Sequence, residues 1–316
     1  MAGAADPKLR QLPVLVIAGP TGVGKTRVAC ELARRYDAEL IGADSVQVYR
    51  GFDIGSSKPS AAELAGIAHH MLDIREPEAV LDAASYAALA DRAIAEVHRR
   101  GKLPIVVGGT GLWLRALLRG LLPAPPVDPA LRARLEAEWD ARGGAALHLQ
   151  LTAVDPISAR SIHPNDKLRV VRALEVYEQT GQPLGAARAE HALGAARYRD
   201  LTFVIDLAPV HHRERVTART RAMLDAGFAA EVAGLLDKHG RAVRPLQAVG
   251  YKQMVAHCLE GVPIDQTERA IERATLLYAR RQRTWWKSDT SVFARLTPEA
   301  LLGDEAGRAI ASQLAR

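Results

Sequence analysis

Leu12-Pro13-Val14-Leu15-Val16-Ile17-Ala18, followed at once by Gly19-Pro20-Thr21-Gly22-Val23-Gly24-Lys25-Thr26, decides how the rest of the chain is read. The first seven residues form a short, β-branched apolar run that ends in glycine, the signature of a buried strand. The next eight match G-x-x-x-x-G-K-[ST] at every required position. From Lys25 to Tyr36 the spacing of Val28, Leu32 and Tyr36 predicts a helix with one apolar face. Glycines in such a strand–loop–helix unit let successive backbone N–H groups converge on phosphate oxygens, and the helix N-terminus adds positive potential. Residues Gly19, Pro20, Thr21, Gly22, Val23, Gly24, Lys25 and Thr26 are therefore expected to cradle a phosphate-bearing ligand. Lys25 would hold the terminal phosphate and the Thr26 hydroxyl a Mg²⁺ ion.

Working outward, Ala38–Gly42 reads as a second buried strand, and Tyr86–Arg100 as an amphipathic helix stopped by Gly101. Leu103–Val107 gives a third strand, followed by a Gly108-Gly109-Thr110-Gly111 turn and a helix through Leu118. This alternation predicts a parallel sheet covered on both faces. A proline-rich stretch, Leu122–Pro129, breaks the pattern, and from Ala130 to about Gly181 every periodic segment is helical. Strand-like sequence returns at Leu201–Leu207. The expected fold is α/β: a P-loop NTPase-like parallel sheet flanked by helices, with an all-helical insertion domain. Residues 12–121 form the first part of the core, 122–195 the insertion, and 196–316 the core continuation with C-terminal helices. The tail, Leu296–Arg316, reads as a closing helix.

Composition narrows the function class. The chain has 316 residues, and 42 Lys and Arg against 36 Asp and Glu give a net charge of +6, a mild excess. It collects at Arg99–Lys102, Arg132–Arg142, Arg213–Arg221 and Arg280–Lys287, as a polyanion partner or a solvated helix face requires. No run reaches the roughly 18 apolar residues of a membrane span, and Met1–Gln11 lacks the signal-peptide pattern. Two cysteines, Cys30 and Cys258, cannot build a disulfide framework or a four-thiolate zinc site; both read as small buried hydrophobes. A cytoplasmic monomer is expected. The pairs His69-His70 and His211-His212 lack metal-site spacing and read as surface or locally hydrogen-bonded histidines.

The loop predicts a phosphate, not a reaction. A kinase or ATPase needs a strand ending in an acid for Mg²⁺, and Leu103–Val107 ends in Gly-Gly-Thr, leaving only Asp44. Asp44-Ser45-Val46-Gln47-Val48-Tyr49 offers a carboxylate, a hydroxyl and an amide that can bond a purine edge, or an ordinary Asp-Ser turn. With GFDIGSSKP at 51–59 the stretch becomes distinctive.

Here the chain resembles the tRNA dimethylallyltransferase (tRNA isopentenyltransferase) family, bacterial type. The resemblance runs from the phosphate loop through GADSVQVYRGFDIGSSKP (42–59), HHMLDIREP (69–77), LPIVVGGTGLWLRALL (103–118), HPNDKLRVVRALEVYEQTG (163–181), AVGYKQM (248–254) and RRQRTWWK (280–287). It covers residues 14–290 in order. It implies transfer of a dimethylallyl group from dimethylallyl diphosphate to N6 of the adenosine 3′ of a tRNA anticodon, with Mg²⁺ and without ATP hydrolysis. In that reading the phosphate loop, Lys25 and Mg²⁺ stabilise the leaving diphosphate, and Asp44 accepts the N6 proton. Thr110 contacts tRNA and assists at the diphosphate. The target base flips into a channel where Gln47 reads its edge.

The resemblance further implies a tRNA anticodon stem-loop surface made by Asp44, Ser45, Val46, Gln47, Thr110, Arg132, the run Leu168, Arg169, Val170, Val171, Arg172, the run Gln247, Ala248, Val249, Gly250, Tyr251, Lys252, and the run Arg280, Arg281, Gln282, Arg283, Thr284, Trp285, Trp286, Lys287. The last interleaves cations with aromatic rings, as nucleic-acid surfaces do, although a helix there would turn Trp285 or Trp286 into the core. The family spaces its proline and arginines differently from Pro209–Val216, so Arg213, Arg215 and Arg219 stay alternatives for the diphosphate-facing arginine. Two other activities compete: prenyl transfer to free adenine nucleotides, and a P-loop kinase.

Overall fold

In the computed structural model, residues 12–122, 124–186 and 196–314 are described; Met1–Gln11, Pro123 of the linker, the 187–195 end of the insertion and the last two residues lie outside them. Contacts divide the described chain into two compact units, 12–118 with 196–314 and, separately, 119–186.

The larger unit is built on six strands: β1 Pro13–Ala18, β2 Ala38–Ala43, β3 His69–His70, β4 Leu103–Gly108, β5 Arg199–Ile205 and β6 Ala294–Leu296. They form one sheet in the order β3-β2-β4-β1-β5-β6, with every pair parallel. All residues of β2 and β4 are buried, as continuous apolar runs require when helices cover both faces. Leu15, Ile17, Leu40 and Ile105 pack with Val28 and Leu32 of the Lys25–Arg35 helix and with Leu301 and Ile310 of the tail. Truncating Ile17 to Ala there would cost about 2–5 kcal/mol.

Two strands escape the sequence pattern. His69–His70 pairs with Leu40 and Ile41, and Ala294–Leu296 with β5; both are too short to show a period. The tail is accordingly a strand and two helices, Pro298–Leu301 and Asp304–Leu314, rather than a single closing helix.

Ala18, Ala43 and Gly108 end their strands level with one another. This is the carboxyl edge where parallel sheets hold ligands, at the point where the chain reverses its direction of strand addition. Gly108 is required by this junction, since a Cβ there would sit 2.2 Å from the Ala43 carbonyl oxygen.

The smaller unit contains helices Pro129–Arg142, Gly144–Val154, Pro156–Ser161 and Lys167–Thr180. Leu135, Leu147, Leu151, Val170, Val171 and Leu174 form its own core. Asp128, Asp155 and Asp166 cap three of those helices by accepting backbone N–H bonds.

Candidate active site

Gly24, at φ +89, turns the chain from the phosphate loop into the Lys25–Arg35 helix. That helix has no acid in its first turn, so its N-terminal dipole is left for an anion. Lys25 Nζ donates to the Pro20 carbonyl at 2.7 Å. Burial lowers the Lys25 pKa to about 8; Asp44 acts against that shift and Arg219 adds to it. Burial likewise lowers Arg219, with Asp44 opposing. Two cations thus share one nearby carboxylate.

Long-range side chains hold the loop in shape. His212 Nε2 donates to the Thr21 carbonyl at 2.8 Å, and Arg215 Nη1 to that of Val23 at 3.1 Å. Both come from the Pro209–Asp225 helix. From the Ile264–Lys287 helix, Gln282 accepts the Thr21 N–H through Oε1 and donates Nε2 to the Gly109 carbonyl, each at 2.8 Å. Next to Gly109, Thr110 Oγ1 accepts the Ser45 N–H at 3.2 Å. Asp44 Oδ1 accepts from Val46 N at 2.9 Å and Gln47 N at 3.3 Å. The Asp-Ser turn is real, and it leaves Oδ2 of Asp44 free of any hydrogen bond among the described residues.

A cleft of about 270 Å³ opens beside these loops. Thr21, Asp44, Ser45, Val46, Gly55, Ser56, Arg219, Met223, the 247–251 segment, Ile271, Thr275, Tyr278 and Arg281 line it. The far wall is set by Glu231, whose carboxylate accepts the N–H groups of Asp53, Ile54 and Gly55 at 3.1, 2.6 and 3.1 Å and the Tyr251 hydroxyl at 2.7 Å. Burial, then the Glu231 charge, pushes the Tyr251 pKa well up. Of the three candidate arginines, Arg213 is exposed, Arg215 grips the loop backbone, and Arg219 faces the cleft.

The structure brings Asp44, Ser45, Val46 and the 247–251 segment together with the phosphate loop. Several residues of the expected tRNA surface are engaged within the protein. Gln282 is 7% exposed and occupied at both ends of its amide. Gln47 donates its Nε2 to the Ser56 and Ser57 carbonyls at 3.0 and 3.1 Å, so that nitrogen is not available to read a base. Val170 and Val171 belong to the insertion core, and Gly250, Tyr251 and Trp286 are buried. Arg283 makes a bidentate pair with Asp206. Arg132 and Arg172 both pair with the buried Glu175. Trp285 packs against Gly111, with Arg115 over its ring at 4.9 Å. Leu168, Arg169, Gln247, Lys252, Arg280, Arg281, Thr284 and Lys287 are exposed.

Sequence reasoning missed His212, Glu231 and Tyr278. His212, Arg215 and Arg219 lie at i, i+3 and i+7, a helix-face spacing that could have grouped them. Glu231 carried no such signal, being remote in sequence from the loop it holds. His212 is buried and bonded across the fold, unlike a surface histidine, whereas His70 pairs with Glu39 at 2.7 Å. Among the described residues no group of three or more His, Cys, Asp or Glu side chains could hold a metal, and no helix is long and apolar enough to cross a membrane.

Residues 47–289 match the family model described as IPP transferase. The tRNA dimethylallyltransferase 1 of Trichlorobacter lovleyi is 46% identical over 280 residues, covering 88% of this chain and 92% of the relative. The chain belongs to the tRNA dimethylallyltransferase family. The Sorangium cellulosum member is 45% identical over 285 residues, 90% of each chain. The crystal structure of the tRNA isopentenylpyrophosphate transferase of Bacillus halodurans is similar at TM-score 0.69 and 34% identity, covering 97% of both chains. A eukaryotic dimethylallyltransferase acting on tRNA is similar at TM-score 0.77 and 26% identity, over 95% of this chain and 78% of that one.

Proposed function

We propose that this protein transfers the dimethylallyl group of dimethylallyl diphosphate to N6 of the adenosine 3′-adjacent to the anticodon of tRNA, releasing diphosphate. The observation that carries the reading is the meeting of Thr21, Arg219 and Asp44 on one cleft. A carboxylate, a guanidinium and the phosphate loop therefore face the same small volume.

The donor's diphosphate fits the phosphate loop, with Lys25 and Arg219 beside it. As the C1–O bond breaks, its electron pair stays on the diphosphate oxygen, where loop N–H groups and both cations stabilise the developing charge. C1 bonds to N6, and Asp44 takes the N6 proton. Mg²⁺ is expected at the diphosphate. Thr26 would supply one hard oxygen there, in keeping with the few protein ligands that Mg²⁺ commonly takes. When bound, the ion would neutralise charge on the leaving group. The adenine must leave the anticodon-loop stack to enter a cleft of this size. Exposed Arg280, Arg281, Lys287 and Lys252 suit the tRNA backbone.

The test supplies Mg²⁺ and radiolabelled dimethylallyl diphosphate with unmodified tRNA or, separately, AMP, ADP or ATP. Label is expected in tRNA alone. Label in free nucleotide would overturn tRNA as the acceptor, and ATP consumption without label transfer would overturn the reading. Asp44→Ala is expected to keep tRNA affinity and lose about 10²–10⁴-fold in turnover; equal loss of both would remove Asp44 from proton transfer.

A further inference from the structure

We propose that Gln282 is a positioning residue that fixes the spacing between the diphosphate loop and the loops that carry Thr110 and Asp44. This inference rests on the function proposed above and deepens it. The side chain is 7% exposed, and its amide presents an acceptor to Thr21 N and a donor to the Gly109 carbonyl, both at 2.8 Å. Gly109 leads into Thr110, whose hydroxyl accepts the Ser45 N–H at 3.2 Å, one residue from Asp44. The connection therefore runs from the donor's loop, through one amide, to the base. Among the described residues, Gln282 is the only side chain hydrogen-bonded to both turns; His212 and Arg215 grip the phosphate loop alone.

The fit around that amide is close. A Cβ on Gly109 would lie 2.4 Å from Gln282 Nε2, so the Gly-Gly turn has the shape that admits this side chain. On the helix, Thr275, Ala279, Gln282 and Trp286 are all buried, whereas Arg280, Arg281 and Lys287 are exposed. Gln282 thus belongs to the inward stripe of a helix whose outward stripe is basic. Reacting atoms tolerate little displacement: a 1 Å error can cost about 100-fold in rate. A link that sets the distance between the leaving group's cradle and the base acts on that quantity.

Gln282→Met keeps the length and removes both hydrogen bonds. We expect turnover at saturating tRNA and dimethylallyl diphosphate to fall about 100-fold, while tRNA affinity and its salt dependence stay at wild-type values. Gln282→Glu provides the second readout. A protonated carboxyl can donate to Gly109 and accept from Thr21, whereas a carboxylate sets oxygen against the Gly109 carbonyl. Its turnover, taken as a ratio to wild type, should rise as pH falls from 8 to 6. A residue needed only for folding would not move that ratio.

Weaker tRNA binding with normal turnover at saturation would make Gln282 an RNA contact, and a ratio independent of pH would remove the donor role; either overturns the proposal. If wild-type protein transfers no label, the functional reading fails by itself. Inorganic diphosphate binding, read by calorimetry, still tests Gln282. Affinity should drop about tenfold in Gln282→Met and recover on acidification in Gln282→Glu. Equal affinity in all three proteins overturns the positioning role.

Discussion

At the phosphate loop Lys25 and Arg219 share the single carboxylate of Asp44, whereas in the helical insertion Arg132 and Arg172 close together on Glu175, which is fully buried. Burial raises the Glu175 pKa, but hydrogen bonds from Arg172 and Arg132 and the Asp128 N–H outweigh it and leave the carboxyl below its usual range. At Lys25 nothing outweighs burial. Both regions set two cations against one carboxylate. Glu175 is ion-paired with both of its arginines, whereas among the described residues Asp44 accepts only backbone N–H groups and is bonded to neither Lys25 nor Arg219. Buried cations therefore point to a ligand site where their counter-charge is near but not joined to them.

The largest effect should come from breaking the side whose charges are joined. Glu175→Ala leaves two arginines facing a buried space without their acid, and loss of one partner of such a network costs about 3–5 kcal/mol. Urea denaturation of the full chain should show it as a shifted midpoint. A loss under about 1 kcal/mol would mean that the arginines are satisfied by other groups such as the Pro125 carbonyl, which Arg172 Nη2 already reaches at 2.6 Å. Lys25→Ala should act in the opposite sense. Turnover falls about 10²–10³-fold, as when one preorganised charge-stabilising donor is removed, while stability holds or rises because a desolvated cation is gone. If unfolding moved more than turnover did, Lys25 would belong with the insertion's arginines.

The same contrast appears in pH. With Lys25 at about 8 in the folded chain and near 10.5 unfolded, the unfolded state holds more protons over that interval. This residue's contribution to stability therefore rises with pH there, while diphosphate affinity falls as the bound cation is lost above about pH 8. Comparing wild type with Lys25→Met by calorimetry and by melting should reveal the two opposite slopes. Glu175 works at the other end: its lowered pKa means stability present above the ordinary carboxylate range and lost as pH falls through its folded value. Glu175→Gln should flatten the acid limb alone.

The regions also differ in how far the sequence disclosed them. The loop at 19–26 is contiguous, and its strand and helix flanks repeat at periods short enough to read, so this strand–loop–helix unit was legible in the residues alone. Strands of six or seven residues were legible for the same reason. His69–His70 and Ala294–Leu296 were not, because their strand character comes from neighbours in the sheet. Within the site, Glu231 bonds the backbone at 53–55 across a long stretch of chain, and no local pattern announces such a pairing. The run RRQRTWWK divides between two faces. Its composition is that of an RNA surface, but the spacing Thr275, Ala279, Gln282, Trp286 follows the buried stripe of a helix. That period, and not the composition, is what turns Gln282 inward.

The smallest effect then belongs to the cations that the same helix turns outward. Among the described residues no carboxylate lies within ion-pair distance of Arg280, Arg281 or Lys287, whereas Arg283 is held by Asp206 at 2.8 Å. Arg281 stacks over Tyr278 at 5.6 Å, which orders it at the mouth of the cleft. If these groups meet tRNA phosphates, each contact releases about 0.7–0.9 of a counterion. Neutralising Arg280 and Arg281 together should lower the slope of log affinity against log salt by about 1.4–1.8, with only a modest loss of affinity at low salt. Stability should stay within about 0.5 kcal/mol, as for exposed positions generally. Arg132→Ala is the matched control, since its charge already belongs to Glu175: it should move the melting midpoint and leave the salt slope alone. A slope unchanged by the outward pair, or changed by Arg132, would reverse which of the two regions presents its charge to RNA.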